Sequence, residues 1–330
     1  MIAVTASGTQ TGSAGVTALN TLAGKTAGVV TATVSGTASE LGDLVIATTD
    51  AIAMTASGTQ TGSSGVTAVN ALGTATAGVV TATLTGTITE LGSLSTAATD
   101  MIAVTASGTQ TGSAGVTAVN ALAGKTAGVV TATLTGTITE LGSLTTAATD
   151  MIAVTASGTQ TGSSGVTALN TLAGKTAGVV TATVSGTASE LGDLVIATTD
   201  AIAMTASGTQ TGSSGVTAVN ALGTATAGVV TATLTGTITE LGSLSTAATD
   251  MIAVTASGTQ TGSAGVTALN ALGGKTGGVV TATLTGSISE VASLTTAATD
   301  AIAVTASGTF TGASGVTALN TLAGKTAGVV

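Results

Sequence analysis

The chain has 330 residues, a net charge of −9, and no His, Cys, Trp or Tyr. Because His and Cys are absent, neither a Ser–His arrangement nor a thiolate nucleophile can form, and the sequence predicts no enzyme and no cofactor. The five lysines are dispersed, so no basic patch exists for nucleic acid, and no apolar run of about 18 residues exists for a membrane span.

The low complexity of the sequence raises intrinsic disorder as one alternative. Disordered chains usually combine few aliphatic residues with many charges. This chain is 43% hydrophobic and only 6% charged, with Ala, Val, Leu and Ile at phased positions. The composition therefore favours a packed core of small side chains.

The first elements in chain order are a strand, a loop and a helix. Residues 1–9 alternate in the manner of a half-buried strand, and in the related stretch Ala51–Thr59 the inward positions are Ile52 and Met54. A polar loop rich in Gly and Ser is expected over Gln10–Gly15. Apolar residues at helical spacing then predict a helix over Val16–Ala23, which Gly24 would end.

The next elements are a second strand and a corner. Val30, Ala32 and Val34 alternate with polar residues, which predicts a strand over 29–37 with these three side chains facing inward. Thr37 and Glu40 have the spacing of a capping box. Because Gly42 weakens a helix, residues 41–44 are predicted to be an extended or single-turn corner.

A glycine closes each predicted strand, where its tolerance of positive φ would suit a sharp corner. The copies recur at alternating long and short steps along the chain, and they are Gly8, Gly36, Gly58, Gly86, Gly108, Gly136, Gly158, Gly186, Gly208, Gly236, Gly258, Gly286 and Gly308. Stacked strands lie about 4.8 Å apart whereas packed helices need about 8–10 Å, so a helix fits on every second coil. The sequence thus predicts a mainly β, parallel β-solenoid of about 13 coils, alternating 28 and 22 residues.

The repeat continues through residues 1–330 without a composition shift, which predicts a single solenoid domain of six and a half 50-residue repeats. Its parallel strands should pair at the same alternating offsets as the glycines, 22 and 28. In that register Val30, Ile52, Val80 and Ile102 would stack as one inward file.

One threonine per strand would then form an outward row, a candidate surface for ice or a polysaccharide. Its alternative is that Thr is simply a good polar strand former. The row comprises Thr5, Thr33, Thr55, Thr83, Thr105, Thr133, Thr155, Thr183, Thr205, Thr233, Thr255, Thr283 and Thr305.

The recurring carboxylates and amides favour structural roles. Glu40 fits a helix cap, Asp50 precedes a strand where Asp commonly makes a turn, and Asn20 fits a loop or helix-end hydrogen bond. A calcium ladder is the alternative for the carboxylates, but it requires denser Gly and Asp turns. No metal site is predicted.

The segments Val16–Thr26 and Val34–Leu41 resemble the Thr/Ala/Gly-rich tandem repeats of giant bacterial and cyanobacterial cell-surface and extracellular-filament proteins. The resemblance extends over the whole chain and implies an exported structural or adhesive role. The chain lacks the acidic content of the calcium-loaded versions.

From the sequence we expect a structural function, as a stiff extracellular rod or filament or as the stalk of a cell-surface adhesin. Open strand edges recruit further strands, so end-to-end self-association is expected. Because the sequence begins and ends within predicted strands, we expect an excerpt or protomer of a longer array. Binding of ice or a polysaccharide through the threonine row is the alternative function.

Overall fold

The computed structural model describes all 330 residues, and each repeat folds as strand, long helix, strand and one-turn helix. Strands β1 to β13 are Val4–Thr11, Val30–Thr37, Ala51–Thr61, Val80–Thr87, Met101–Thr111, Val130–Thr137, Met151–Thr161, Val180–Thr187, Ala201–Thr211, Val230–Thr237, Met251–Thr261, Val280–Ser287 and Ala301–Ser307. We call β1, β3 and their equivalents odd strands, and β2, β4 and their equivalents even strands.

Helices follow the strands one for one. The long helices α1, α3, α5, α7, α9, α11 and α13 are Gly12–Ala23, Gly62–Ala75, Gly112–Ala123, Gly162–Ala173, Gly212–Ala225, Gly262–Gly273 and Gly312–Ala323. The one-turn helices α2, α4, α6, α8, α10 and α12 are Ala38–Gly42, Ile88–Leu91, Ile138–Leu141, Ala188–Gly192, Ile238–Leu241 and Ile288–Val291.

Two compact units can be distinguished, residues 1–157 with 171–180 and residues 158–170 with 181–330. Both contain the same alternation of strands and helices. Within each unit the strands are ordered along the sheet as they are along the chain, and the observed pairings are parallel. A parallel β-solenoid with a long helix on alternate coils is therefore confirmed.

The strand register differs from the sequence prediction. Ala32 pairs with Ile52 and Met54 pairs with Val80, so the two offsets along the chain are 20 and 26. Offsets of 22 and 28 are therefore wrong, and Val30, Ile52, Val80 and Ile102 do not stack as one file, although all four are buried. Each predicted offset is wrong by two residues. Because side chains alternate between the two faces of a strand, a shift by an even number of residues leaves the predicted inward and outward faces correct.

A β-bulge shifts this register further in β1, β3, β5, β9 and β11. In β3 the partner of Thr55 is Thr81, but the partner of Thr59 is Thr83, so β3 contains two extra residues between these pairs. Gly58 lies in this interval with φ of +73°, a conformation that favours glycine. The glycines in these intervals thus lie at bulges within strands rather than at the predicted corners; they are Gly8, Gly58, Gly108, Gly208 and Gly258.

The glycines of the even strands have a different role. Gly86 does not adopt positive φ. A Cβ at this position would lie 3.1 Å from Oε2 of Glu90 and 3.4 Å from Cα of Gly62. This glycine leaves room for a carboxylate and a neighbouring backbone, so the sharp-corner prediction is also wrong here.

The core consists of aliphatic side chains from all four elements of a repeat. Met54 and Leu84 contribute from the strands, Val69 from the long helix, and Leu91 and Leu94 from the one-turn helix and the turn after it. All five are buried. No aromatic side chain is needed, as the composition implied.

The long helix begins earlier than predicted. β1 continues to Thr11 and α1 starts at Gly12, so most of the expected loop Gln10–Gly15 is strand and helix. Gly12 has φ of +55° and makes the abrupt change from strand to helix possible. The predicted end at Ala23 is correct.

Candidate functional site: the outward threonine face and the contacts between coils

The outward face of the sheet is an uncharged surface of Thr, Ser and Ala. In β3 and β4 the outward positions include Ala53, Thr55, Thr83 and Thr85, and neither strand contains a charged residue. The absence of charge follows directly from the strand sequences, because every Lys, Asp and Glu lies in a helix, turn or connection. This face can offer hydroxyl and methyl groups to a ligand, but no acid, base or nucleophile activated by a base.

The thirteen threonines of the predicted row are all exposed, so their outward orientation is confirmed. They do not form a single row. Thr33 pairs with Thr9 on one side and with Ala53 on the other, and Thr5 pairs with Thr31. The stagger between strands separates members of the predicted row from one another.

The observed rows run obliquely across four strands. Thr61 pairs with Thr85, Thr85 with Thr105, and Thr105 with Thr131. The next partner is Met151, which ends the row. Equivalent threonines form the row Thr211, Thr235, Thr255 and Thr281. Sequence reasoning missed Thr61, Thr85 and Thr131 because their membership depends on the register alone.

A buried aspartate connects the start of an even strand to the following turn, as β4 shows. Asp100 is 3% exposed. Its Oδ1 accepts a hydrogen bond from Val80 N–H at 2.8 Å, and its Oδ2 accepts one from Ala97 N–H at 3.0 Å. The turn predicted at this position is confirmed, but the side chain also replaces the missing strand partner of Val80.

A buried threonine and a glycine form the second contact between coils. Thr76 Oγ1 accepts hydrogen bonds from the N–H groups of Ile52 and Gly78, each at 2.9 Å. It lies 2.9 Å and 2.8 Å from the carbonyl oxygens of Asp50 and Ile52, and either oxygen can accept a hydrogen bond from the Thr76 hydroxyl. Gly78 must be glycine, because a Cβ there would lie 2.3 Å from Ile52 O. No local sequence pattern indicates this network.

Each one-turn helix has a glutamate as its third residue, and this glutamate caps two helices. Glu90 Oε2 accepts hydrogen bonds from the N–H and hydroxyl of Thr87, which completes the predicted capping box. Its Oε1 accepts hydrogen bonds at 3.3 Å from the N–H and hydroxyl of Ser63 in α3, whose own N-cap residue Thr61 provides no side-chain cap. The backbone N–H of Thr87, then its hydroxyl, hold the pKa of Glu90 below its ordinary value, and Ser63 adds to this effect.

Asparagine side chains join each long helix to the next corner. Asn70 donates from Nδ2 to Ser93 O at 2.9 Å and accepts at Oδ1 from Ser95 N–H at 2.8 Å. The two contacts satisfy both ends of the amide. The predicted role as a hydrogen bonder is confirmed.

The open spaces between coils are small grooves lined by these same groups. One groove of about 310 Å³ lies between Asn120, Thr126 and Asp150. Its Asp150 carboxylate already accepts hydrogen bonds from Val130 and Ala147. No group of three or more acidic, His or Cys side chains is arranged to hold a metal ion, and no helix is long and apolar enough to cross a membrane.

Comparisons with known proteins give no family assignment. No protein-family model matches the chain, and no curated protein is significantly similar to it in sequence.

Proposed function

We propose that this is a structural repeat protein that forms a stiff segment of an extracellular rod or filament, or the stalk of a cell-surface adhesin. The observation that carries the proposal is the use of its polar side chains. Asp100, Thr76, Asn70 and Glu90 all join neighbouring coils, through hydrogen bonds that span 20 to 27 residues. The recurring polar groups therefore serve cohesion between coils and are not directed into a reaction site.

The extracellular location is supported by the resemblance of the repeats to those of bacterial surface and filament proteins. Assembly end to end is supported by the sheet itself, because an edge strand presents unpaired N–H and C=O groups to a further strand. A solenoid of nearly identical coils can continue its core through such an edge.

Electron microscopy and light scattering of the purified protein test this function. We expect thin rods whose length grows with protein concentration. Monodisperse monomers of 30.3 kDa at high concentration would contradict end-to-end association. Mechanical stiffness can be measured separately by pulling a tethered chain, where a structural role predicts stepwise opening of coils.

Binding of ice through the outward face is a second candidate, favoured by the uncharged rows of four threonines. The test compares thermal hysteresis of the wild type with Thr61→Lys and Thr105→Lys, which alter one row. The matched control is Thr67→Lys on the exposed side of α3. Equal hysteresis in all proteins would remove the ice function, and co-sedimentation with an insoluble polysaccharide would instead indicate that ligand.

A further inference from the structure

The sheet of this protein is covered on one face and open on the other. The inward side chains of β3 and β4, such as Met54 and Leu84, are buried in the core, whereas the outward Thr55 and Thr83 are exposed. Parallel sheets in proteins usually have both faces covered. The outward face is therefore a candidate for contact with a further layer of protein.

Apolar side chains are exposed along one margin of this face, where the strands begin. Met101 and Met151, the first residues of β5 and β7, are 54% and 53% exposed. Val79 and Val129, which directly precede β4 and β6, are also exposed. Met101 pairs with Thr81, and Val79 lies two residues before Thr81, so both apolar side chains share the outward face. We call Val79, Met101, Val129 and Met151 the apolar margin.

The outward face of the first compact unit is large enough for a stable interface. It comprises β1 to β6 and the part of β7 up to Ser157. Seven strands at about 4.8 Å each, and eight residues at about 3.3 Å each, give an area of roughly 34 Å by 26 Å, or about 900 Å². A standard protein interface buries about 800 Å² on each partner. This face alone can therefore hold a pair of chains together.

The chemistry of the face fits a second copy of the same face. The chain has a net charge of −9, but its strands carry no charged residue, so two copies can meet here without bringing like charges together. Threonine hydroxyls both donate and accept hydrogen bonds, so those of one copy can pair with those of another. A lipid surface would leave these hydroxyls without partners, and a charged protein would lose water without gaining an opposite charge.

We propose that the outward face packs against the same face of a second copy of this chain, so that two chains associate side by side. The methionines of the apolar margin supply flexible apolar contacts, and the threonines supply hydrogen bonds. This pairing goes beyond end-to-end association, because it uses the face of the sheet and not the edges of its strands. Ice binding needs the same face free, so pairing and ice binding exclude each other.

Replacement of the exposed methionines by lysine tests this face. One variant combines Met101→Lys, Met151→Lys and Met251→Lys, since Met251 has the equivalent position in the second unit and is 48% exposed. The control variant places the same substitution on the exposed sides of α3, α5 and α11, as Thr67→Lys, Thr117→Lys and Thr267→Lys. Both variants gain three positive charges, so only the position of the charges differs.

Electron microscopy gives the mass per unit length, and sedimentation equilibrium gives the dissociation constant of the pair. We expect wild-type particles to have twice the mass per unit length of a single chain, whatever their length, and the control variant to match them. The methionine variant should have the single value. Its dissociation constant should rise at least about 100-fold, because each substituted charge is present twice in a symmetric pair.

Cysteine labelling tests the face without altering the methionines, because the chain contains no cysteine. Thr83→Cys reports on the outward face of β4, and Thr67→Cys reports on the exposed side of α3. Alkylation of Thr83→Cys should slow about tenfold once most chains are paired at high protein concentration, as mass action requires. Alkylation of Thr67→Cys should not change with concentration.

Single-chain mass per unit length in the wild type, or concentration-independent alkylation of Thr83→Cys, would overturn the pairing. Pairing that persists in the folded methionine variant would overturn the assigned face, and if that variant unfolds, the labelling comparison decides. Paired particles that do not lengthen with concentration would contradict end-to-end association alone. Long particles with the mass per unit length of one chain would contradict side-by-side pairing alone.

Discussion

Replacement of Asp100 by Ala removes the acceptor for two backbone N–H groups. The Val80 N–H is buried and its loss of a partner costs about 1–3 kcal/mol, and the partly buried Ala97 N–H costs about 1 kcal/mol. We expect Asp100→Ala to lower the free energy of unfolding by about 2–4 kcal/mol. Asp100→Asn keeps one acceptor oxygen and should fall between this variant and the wild type.

The control is Asp43→Ala, since the Asp43 side chain is exposed at a corner and should change stability by less than about 0.5 kcal/mol. Urea denaturation gives the overall effect. Because repeat proteins can open locally, hydrogen exchange at the Val80 and Ala97 amides gives the local one. Equal costs for Asp100→Ala and Asp43→Ala, with Val80 still protected, would refute the role assigned to this carboxylate.

Further substitutions test the core, the capping glutamates and the close contacts. Val34→Asp should cost several kcal/mol by burying an unpaired charge, whereas Thr33→Asp on the outward face should cost under about 1 kcal/mol; the reverse order in urea denaturation would contradict the assigned faces. The pKa of Glu90 is lowered in the folded protein, so its contribution is present above its ordinary value of 4.5 and is lost as pH falls through the folded pKa. Glu90→Gln should therefore reduce the acid dependence of thermal stability, and an unchanged pH profile would argue against the cap. Gly78→Ala should destabilise strongly by collision with Ile52 O, whereas Gly42→Ala, with open space at Cβ, should be neutral or stabilising by up to about 1 kcal/mol; similar melting temperatures for the two variants would show that the close contact is relieved cheaply.

The parts of the fold that depend on local pattern could be predicted from the sequence. Alternation placed Val34 inward and Thr33 outward, and the Thr37–Glu40 spacing identified the capping box. These features involve residues at most a few positions apart. Their geometry is fixed by the two-residue period of a strand and by the first turn of a helix.

The parts that depend on the stagger between strands could not be predicted. The two ladder offsets along the chain, 20 and 26, together fall short of the 50-residue repeat. Repeats in the sequence therefore do not place equivalent residues side by side, and the single threonine row is wrong for that reason. The contacts of Thr76 with Ile52 and of Asp100 with Val80 could not be predicted for the same reason, since these partners lie on other coils.

The glutamate that caps a long helix has a consequence for synthesis of the chain. Ser63 lies at the start of α3, but its partner Glu90 is made 27 residues later, and Asn70 similarly bonds residues made 23 and 25 positions later. A growing chain therefore always carries one coil whose helix still lacks its cap and its amide contacts. That coil becomes stable as the next one emerges, so folding can advance from the first residue towards the last in step with translation, without waiting for distant sequence.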